Sequence, residues 1–227
     1  MSKSEPTIQK HMTYLPHAIE SKATVNAATK KMVELGIRHL PVTEGGALIG
    51  VISDRDIKMA MSLLDAQPDW RADTGPAVVL GAGGAARAVI VSLMDSGATD
   101  IRLTNRSWAK AHDMAQEFGA PVRAIAWEDR HDALAGAALV VNTTNQGMHG
   151  EAALDLRLDQ LPAQALVSDI IYVPLETSLL AVARLKGHVT VNGLGMLLNQ
   201  ARPAFAAWFG VQPGVTPALM AKVQATF

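Results

Sequence analysis

Two rhythms of apolar and polar positions run along the 227 residues. From residue 77 onward, short apolar runs recur at intervals, as buried parallel strands require. AVVL (77–80), DIRLTNR (100–106), VRAI (122–125), ALVVNTT (138–144), LVSDIIY (166–172) and HVTV (188–191) read as strands. The stretches between them have helical spacing. GAGGAARAVIVSLMDSG gives a turn and a helix closed by Gly97, and WAKAHDMAQEFG gives a second helix. PLETSLLAVARLKG predicts a third, opening on Pro174 and ending at Gly187. This alternation predicts an α/β fold, a doubly wound parallel sheet with helices on both faces. GLGMLLNQARPAFAAWFG (193–210) adds an apolar helical tail.

The first 66 residues follow a different order. HAIE (17–20) is a short extended piece, and TVNAATKKMVELGI (24–37) carries Val25, Ala28, Met32 and Leu35 at helical spacing. RHLPV and LIGVIS are strands joined by TEGGA, a glycine-containing hairpin turn, and DRDIKMAMSLL is a second helix. The seam DAQPDWRADTGP (65–76) is polar and carries Pro68, Gly75 and Pro76, as a linker should. Two domains follow: a small α+β domain over 1–66 and a doubly wound domain with a helical tail over 67–227.

Composition narrows the choice of function. Apolar residues make up 49% of the chain, enough for a sizeable core, and the net charge is −1, without the basic excess that nucleic acid demands. There are no cysteines, which removes disulfides and thiol chemistry, and the seven histidines show no paired ligand spacing, so no metal is expected. Neither a secretory signal nor a membrane span is legible, and a soluble cytoplasmic protein is expected.

The chemistry concentrates in VVLGAGGAARAV (78–89). Gly81 makes the tight turn, Gly83 lets the backbone approach a pyrophosphate, and Ala86 takes the small packing position of a GxGxxA fingerprint. The N–H groups that open the helix, at Gly84 and Ala85, then face the phosphates. At the end of the next strand stand Asn105, Arg106 and Ser107, where an NAD site wants a carboxylate. A guanidinium suits a 2′-phosphate, so this site is expected to take NADP. The plainer alternative makes Arg106 a solvated cation and Ser107 a helix cap.

VVLGAGGAARAV, RLTNRSWAKA, VVNTTNQGMHG, VSDIIYVPLET and VNGLGMLLNQA, in this order, resemble the NADP-binding, Rossmann-like half of shikimate dehydrogenase from about Pro68 onward. The resemblance implies that Asn105, Arg106 and Ser107 grip the 2′-phosphate. It also implies that Asn142, Thr143 and Thr144 lie along the cofactor, that Met196 borders the nicotinamide, and that Tyr172 and Gln200 face the substrate. Asn145 and Gln146 depart from the serine and leucine common in that family. MTYLPHAIE, HLPV and GVISDRDI resemble a single CBS motif; Gly50, Ser53 and Asp56 meet its pattern, and the resemblance implies that Ser53 and Asp56 hold the ribose of an adenine nucleotide. Helix-start chemistry would explain the same two residues.

Relatives of the dehydrogenase carry an acid/base lysine in Val-Thr-x-Pro-x-Lys and an aspartate in Asn-Thr-Asp-Gly. Neither motif occurs here, so no catalytic residue is assigned. A lone CBS motif and the tail residues Leu194, Met196, Leu197, Leu198, Phe205 and Trp208, partly bare without a substrate domain, both point to a homodimer. Three readings follow: a shikimate dehydrogenase-type oxidoreductase domain, a regulatory module sensing NADP and an adenine nucleotide, or a recombined chimera without catalytic activity.

Overall fold

The computed structural model describes residues 17–53 and 71–226, apart from 24, 38 and 212. The chain divides into two compact units, Met1–Ser53 and Asp54–Phe227.

The first unit is a three-stranded sheet with one described helix. Strand β1 (Ile19–Glu20) pairs parallel to β2 (His39–Glu44), which pairs antiparallel to β3 (Ala47–Ser53). The strands run closer to the turn than TEGGA suggests. Gly45 and Gly46 alone form it, both at positive φ (+56° and +85°), as a tight two-residue hairpin requires. Helix α1 (Val25–Leu35) buries Ala28 and Met32 and ends at Gly36, whose left-handed φ of +63° lets the Ile37 N–H reach back to the Met32 carbonyl. The helix expected over DRDIKMAMSLL lies outside the described residues.

The second unit is built on six parallel strands: β4 (Ala77–Leu80), β5 (Ile101–Thr104), β6 (Val122–Ile125), β7 (Leu139–Asn142), β8 (Leu166–Asp169) and β9 (Val189–Val191). They lie in the order β6-β5-β4-β7-β8-β9, doubly wound from the centre. Alternate residues of each strand face opposite sides. Val79, Leu103 and Val141 pack against Val89, Ile90 and Leu93 of α2 (Gly84–Asp95) and Met114 of α3 (Trp108–Phe118). Val78, Leu80, Val140 and Val167 pack against Leu179, Leu180 and Ala183 of α4 (Ser178–Leu185). Both faces are covered, which explains apolar runs in place of a strict alternation.

Two expectations need correction. Helix α4 does not open on Pro174: it starts at Ser178, because the Thr177 hydroxyl caps it by accepting from the Leu180 N–H at 3.4 Å. In the tail, α5 (Leu194–Phe209) buries Leu194 and Met196 within its own unit. Leu197 and Leu198 are half-buried, as expected, and the most exposed apolar side chains described there are Phe205, Phe209, Val211 and Leu219, the last on α6 (Pro217–Gln224); the Trp208 side chain lies outside the described ones. No described helix is long and apolar enough to cross a membrane.

Candidate functional site

The sheet order reverses between β4 and β7, and a cleft of about 340 Å³ opens at their carboxyl ends. Gly81, Ala82 and Gly83 form its floor. Gly81 sits at φ +103°, and a Cβ there would lie 2.6 Å from Thr143 Oγ1, so only glycine fits between the two loops. Its N–H donates to the Thr104 carbonyl at 2.8 Å, which ties the turn to β5. Gly83 is the N-cap of α2 and supplies no capping side chain, so the first turn keeps its N–H groups for something else. An added Cβ at Gly83 or Gly84 would meet nothing within 4 Å. The open space, the uncapped donors and the positive end of the helix dipole together make a seat for an anion such as pyrophosphate.

One wall of the cleft is cationic. Asn105, Arg106, Ser107 and Lys110 line it, and among the described residues no carboxylate does. Ser107 is the N-cap of α3 but makes no side-chain cap bond; instead the Asn105 amide donates to the Ser107 carbonyl at 3.0 Å. That bond holds the 105–107 turn and leaves the Ser107 hydroxyl available. Trp127, following β6, closes the end of the cleft. The Arg130 guanidinium lies 4.8 Å from the centre of its ring and donates to the Trp127 carbonyl at 2.8 Å, while also pairing with Asp155. The indole is therefore a braced flat surface.

The opposite wall is the loop after β7. Thr143, Thr144 and Asn145 line the cleft. Asn142 is fully buried beneath them and acts as their anchor. Its Oδ1 accepts from the Thr144 N–H at 3.0 Å and from the Thr144 hydroxyl at 2.7 Å. Its amide donates to the Gln146 carbonyl and to Asp169. Burial pushes the Asp169 carboxyl above the usual carboxylate range, against the pull of hydrogen bonds from Thr177, Ile171 and Asn142.

Seven of the residues singled out from sequence thus meet in one cleft: Gly81, Gly83, Asn105, Arg106, Ser107, Thr143 and Thr144. Gly84 and Ala85 open the helix behind it. Lys110, Trp127 and Asn145 join the lining unforeseen. Met196 is buried in the core below β9, where Gly193 brings the chain so close to β8 that a Cβ would overlap the Ile170 carbonyl oxygen. Tyr172 is partly exposed on the segment after β8. Gln200 lies on α5 and Ser53 ends β3, with the side chains of both outside the description; Asp56 lies outside the described residues altogether. Among the described residues no three His, Asp or Glu side chains cluster to hold a metal ion.

The family model for shikimate / quinate 5-dehydrogenase matches residues 63–154, and that for the CBS domain matches residues 4–63. The shikimate dehydrogenase (NADP(+)) of Rhodospirillum rubrum is 46% identical over 214 residues, covering 92% of this chain and 75% of the relative. That of Mesorhizobium japonicum is 46% identical over 211 residues, covering 93% and 75%. Among solved structures, shikimate 5-dehydrogenase from Thermus thermophilus in complex with NADP(H) and shikimate superposes with a TM-score of 0.60 at 27% identity, over 90% of this chain and 85% of that one. Quinate dehydrogenase from Corynebacterium glutamicum in complex with NAD shares the fold, with a TM-score of 0.68 at 22% identity over 91% and 84%. With close to half of its residues matched along three-quarters of each curated relative's length, the chain belongs to the shikimate dehydrogenase (NADP(+)) family.

Proposed function

We propose that this chain binds NADP(H) at the carboxyl edge of its six-stranded sheet, as the cofactor half of a shikimate dehydrogenase-type oxidoreductase fused to a CBS motif. One observation carries the reading: an open, uncapped glycine turn faces a wall holding Arg106 and Lys110 and, among the described residues, no carboxylate. The pyrophosphate takes the N–H groups at the start of α2. Arg106, with Asn105 and Ser107, takes the 2′-phosphate, which a carboxylate in the same wall would repel. Thr143 and Thr144 hold the cofactor from the other side. When bound, the nicotinamide gives or accepts a hydride.

Transfer from a hydroxyl also requires a base for its proton. The two motifs that carry the acid/base lysine and aspartate in relatives are absent from these 227 residues. We therefore read the chain as one that holds cofactor and turns over no substrate by itself. Tyr172 and Gln200 would face the substrate if a partner supplied the base. The CBS match favours a second role, in which Ser53 and Asp56 take an adenine nucleotide and the chain acts as a nucleotide-responsive module. The exposed Phe205, Phe209, Val211 and Leu219 favour a homodimer, to be read by sedimentation, and a cytoplasmic location suits a pool of free NADP(H).

A thermal-shift panel with NADPH, NADH, AMP and ATP tests these readings together. A shift with NADPH exceeding that with NADH is expected, and no shift with either removes the cofactor reading. A shift with AMP or ATP supports the CBS role. Absorbance at the NADPH band with shikimate and NADP+ tests turnover, for which none is expected.

A further inference from the structure

The polar side chains buried under the carboxyl edge of the sheet form one connected group with Asp169, the last residue of β8, at its centre. Asp169 Oδ1 accepts from the Asn142 amide and from the Ile171 N–H, each at 3.1 Å. Its Oδ2 accepts from the Thr177 hydroxyl at 2.7 Å. Asn142 carries the link onward to the N–H and hydroxyl of Thr144, which lines the cleft. Ile171 carries it to its neighbour Tyr172.

The residue types suit these roles. An ionised carboxylate only accepts, so three donors converging on it fix three segments at once. A carboxamide can donate to that carboxylate with one end and accept from the loop with the other. Asp169 is fully buried and is not among the residues lining the cofactor cleft, so it acts on the cleft through Asn142 rather than by touching the cofactor.

We infer that Asp169 is a positioning residue that couples the cofactor loop, residues 142–146, to the segment carrying Tyr172, so that filling the cofactor cleft orders the substrate side. The inference rests on the cofactor reading above. Moving the loop alone would pull Asn142 from Asp169 and leave buried partners unpaired, so the two segments shift together or not at all.

The test uses the full chain and adenosine 2′,5′-bisphosphate, which carries the 2′-phosphate end of the cofactor and no nicotinamide. Residue-resolved amide hydrogen exchange is followed with and without it. Exchange at the Thr144 amide should slow. Exchange at the Ile171 amide, whose acceptor is Asp169, should slow by about five-fold or more, the lower end of ordinary coupling between sites. Protection at Thr144 without protection at Ile171 overturns the inference and leaves the cofactor reading intact. Absence of any binding in a parallel thermal shift overturns both. In Asp169→Leu, of similar bulk and with no acceptor for the Ile171 N–H, protection at Ile171 should be lost while Thr144 stays protected; Thr177→Ser, which keeps its donor, should retain both. Retention of Ile171 protection in Asp169→Leu refutes the inference, and if that variant does not fold the unmodified chain decides alone.

Discussion

Gly193 and Gly83 stand at the two ends of one sheet edge, and they are glycine for opposite reasons. At Gly193 a Cβ would overlap the backbone of Ile170, while the Gly193 N–H donates to the Ile171 carbonyl at 2.9 Å. At Gly83 a Cβ would meet nothing within 4 Å, and φ is an ordinary −108°. The fold demands the first glycine and tolerates any residue at the second. A glycine that the protein itself does not need, at an uncapped helix start, is a vacancy kept for something outside the protein. The β8–β9 end of the edge thus serves as scaffold, with its polar groups turned inward, and the β4–β5 end serves as a receiving surface.

Substituting the two glycines should separate those roles. Gly193→Ala forces main chain away from main chain and should lower the unfolding free energy by about 3 kcal/mol, the severe end for a single substitution. Urea denaturation measures it, and an unchanged midpoint would mean that the two strands are not clamped there. Gly83→Val should cost only about 1 kcal/mol of stability, through a poorer N-cap. The same variant should weaken NADPH and NADH alike by about 10- to 100-fold, the equivalent of the overpacking its side chain brings to the phosphate seat. Equal affinity in the variant and the parent chain, by fluorescence titration, would place the pyrophosphate elsewhere.

Arg106→Gln probes the cationic wall alone. Losing one charge-assisted contact at an exposed site should weaken NADPH by about 10-fold. NADH, which has no 2′-phosphate, should be unaffected. A parallel loss for both cofactors would assign Arg106 to the pyrophosphate or to the turn itself, and no loss for either would leave Lys110 as the operative cation.

How much of this was legible in the sequence follows from the range of each signal. The strand cores, the Gly81 turn and the Asn105–Ser107 run declare themselves because a strand, its turn and the next helix are consecutive in the chain. Gly45-Gly46 declares a hairpin for the same reason. Lys110 was within reach: it lies in the first turn of the helix that begins two residues after Arg106, at the same end of the sheet. Trp127 was not, because only the pairing of β6 with β5 brings it to the cleft. The Asn142–Asp169 bond spans 27 positions and depends on the register of β7 with β8, so the motif NTT, expected to lie along the cofactor, does not disclose that Asn142 anchors Thr144 from beneath. Pro174 misdirected the start of α4, since a proline suits many positions before a helix and the capping hydroxyl at Thr177 decides which is used.

The smallest effect contrasts two aspartates. Asp169, buried, has its carboxyl pushed up, whereas Asp100, at the amino end of β5, is held below the usual range. The main cause at Asp100 is the hydrogen bond from Arg123, whose Nε lies 2.9 Å away; Arg102 adds a second at 3.2 Å, and partial burial opposes both. The signs of their pH dependence are therefore opposite. A carboxyl with a raised folded value favours the fold at acid pH, and that contribution is lost as pH rises through the folded value. A carboxyl with a lowered folded value favours the fold above its unfolded value, about 3.9, and that contribution is lost as pH falls through the folded value. Because Asp100 is about one-third exposed, Asp100→Asn should cost under about 1 kcal/mol at neutral pH. The gap between parent and variant should close as pH falls below about 4, while the Asp169 contribution, common to both, cancels in the difference. Urea midpoints across an acid pH series read this directly; a gap constant down to acid pH would show that the guanidiniums of Arg123 and Arg102 do not hold Asp100 in solution.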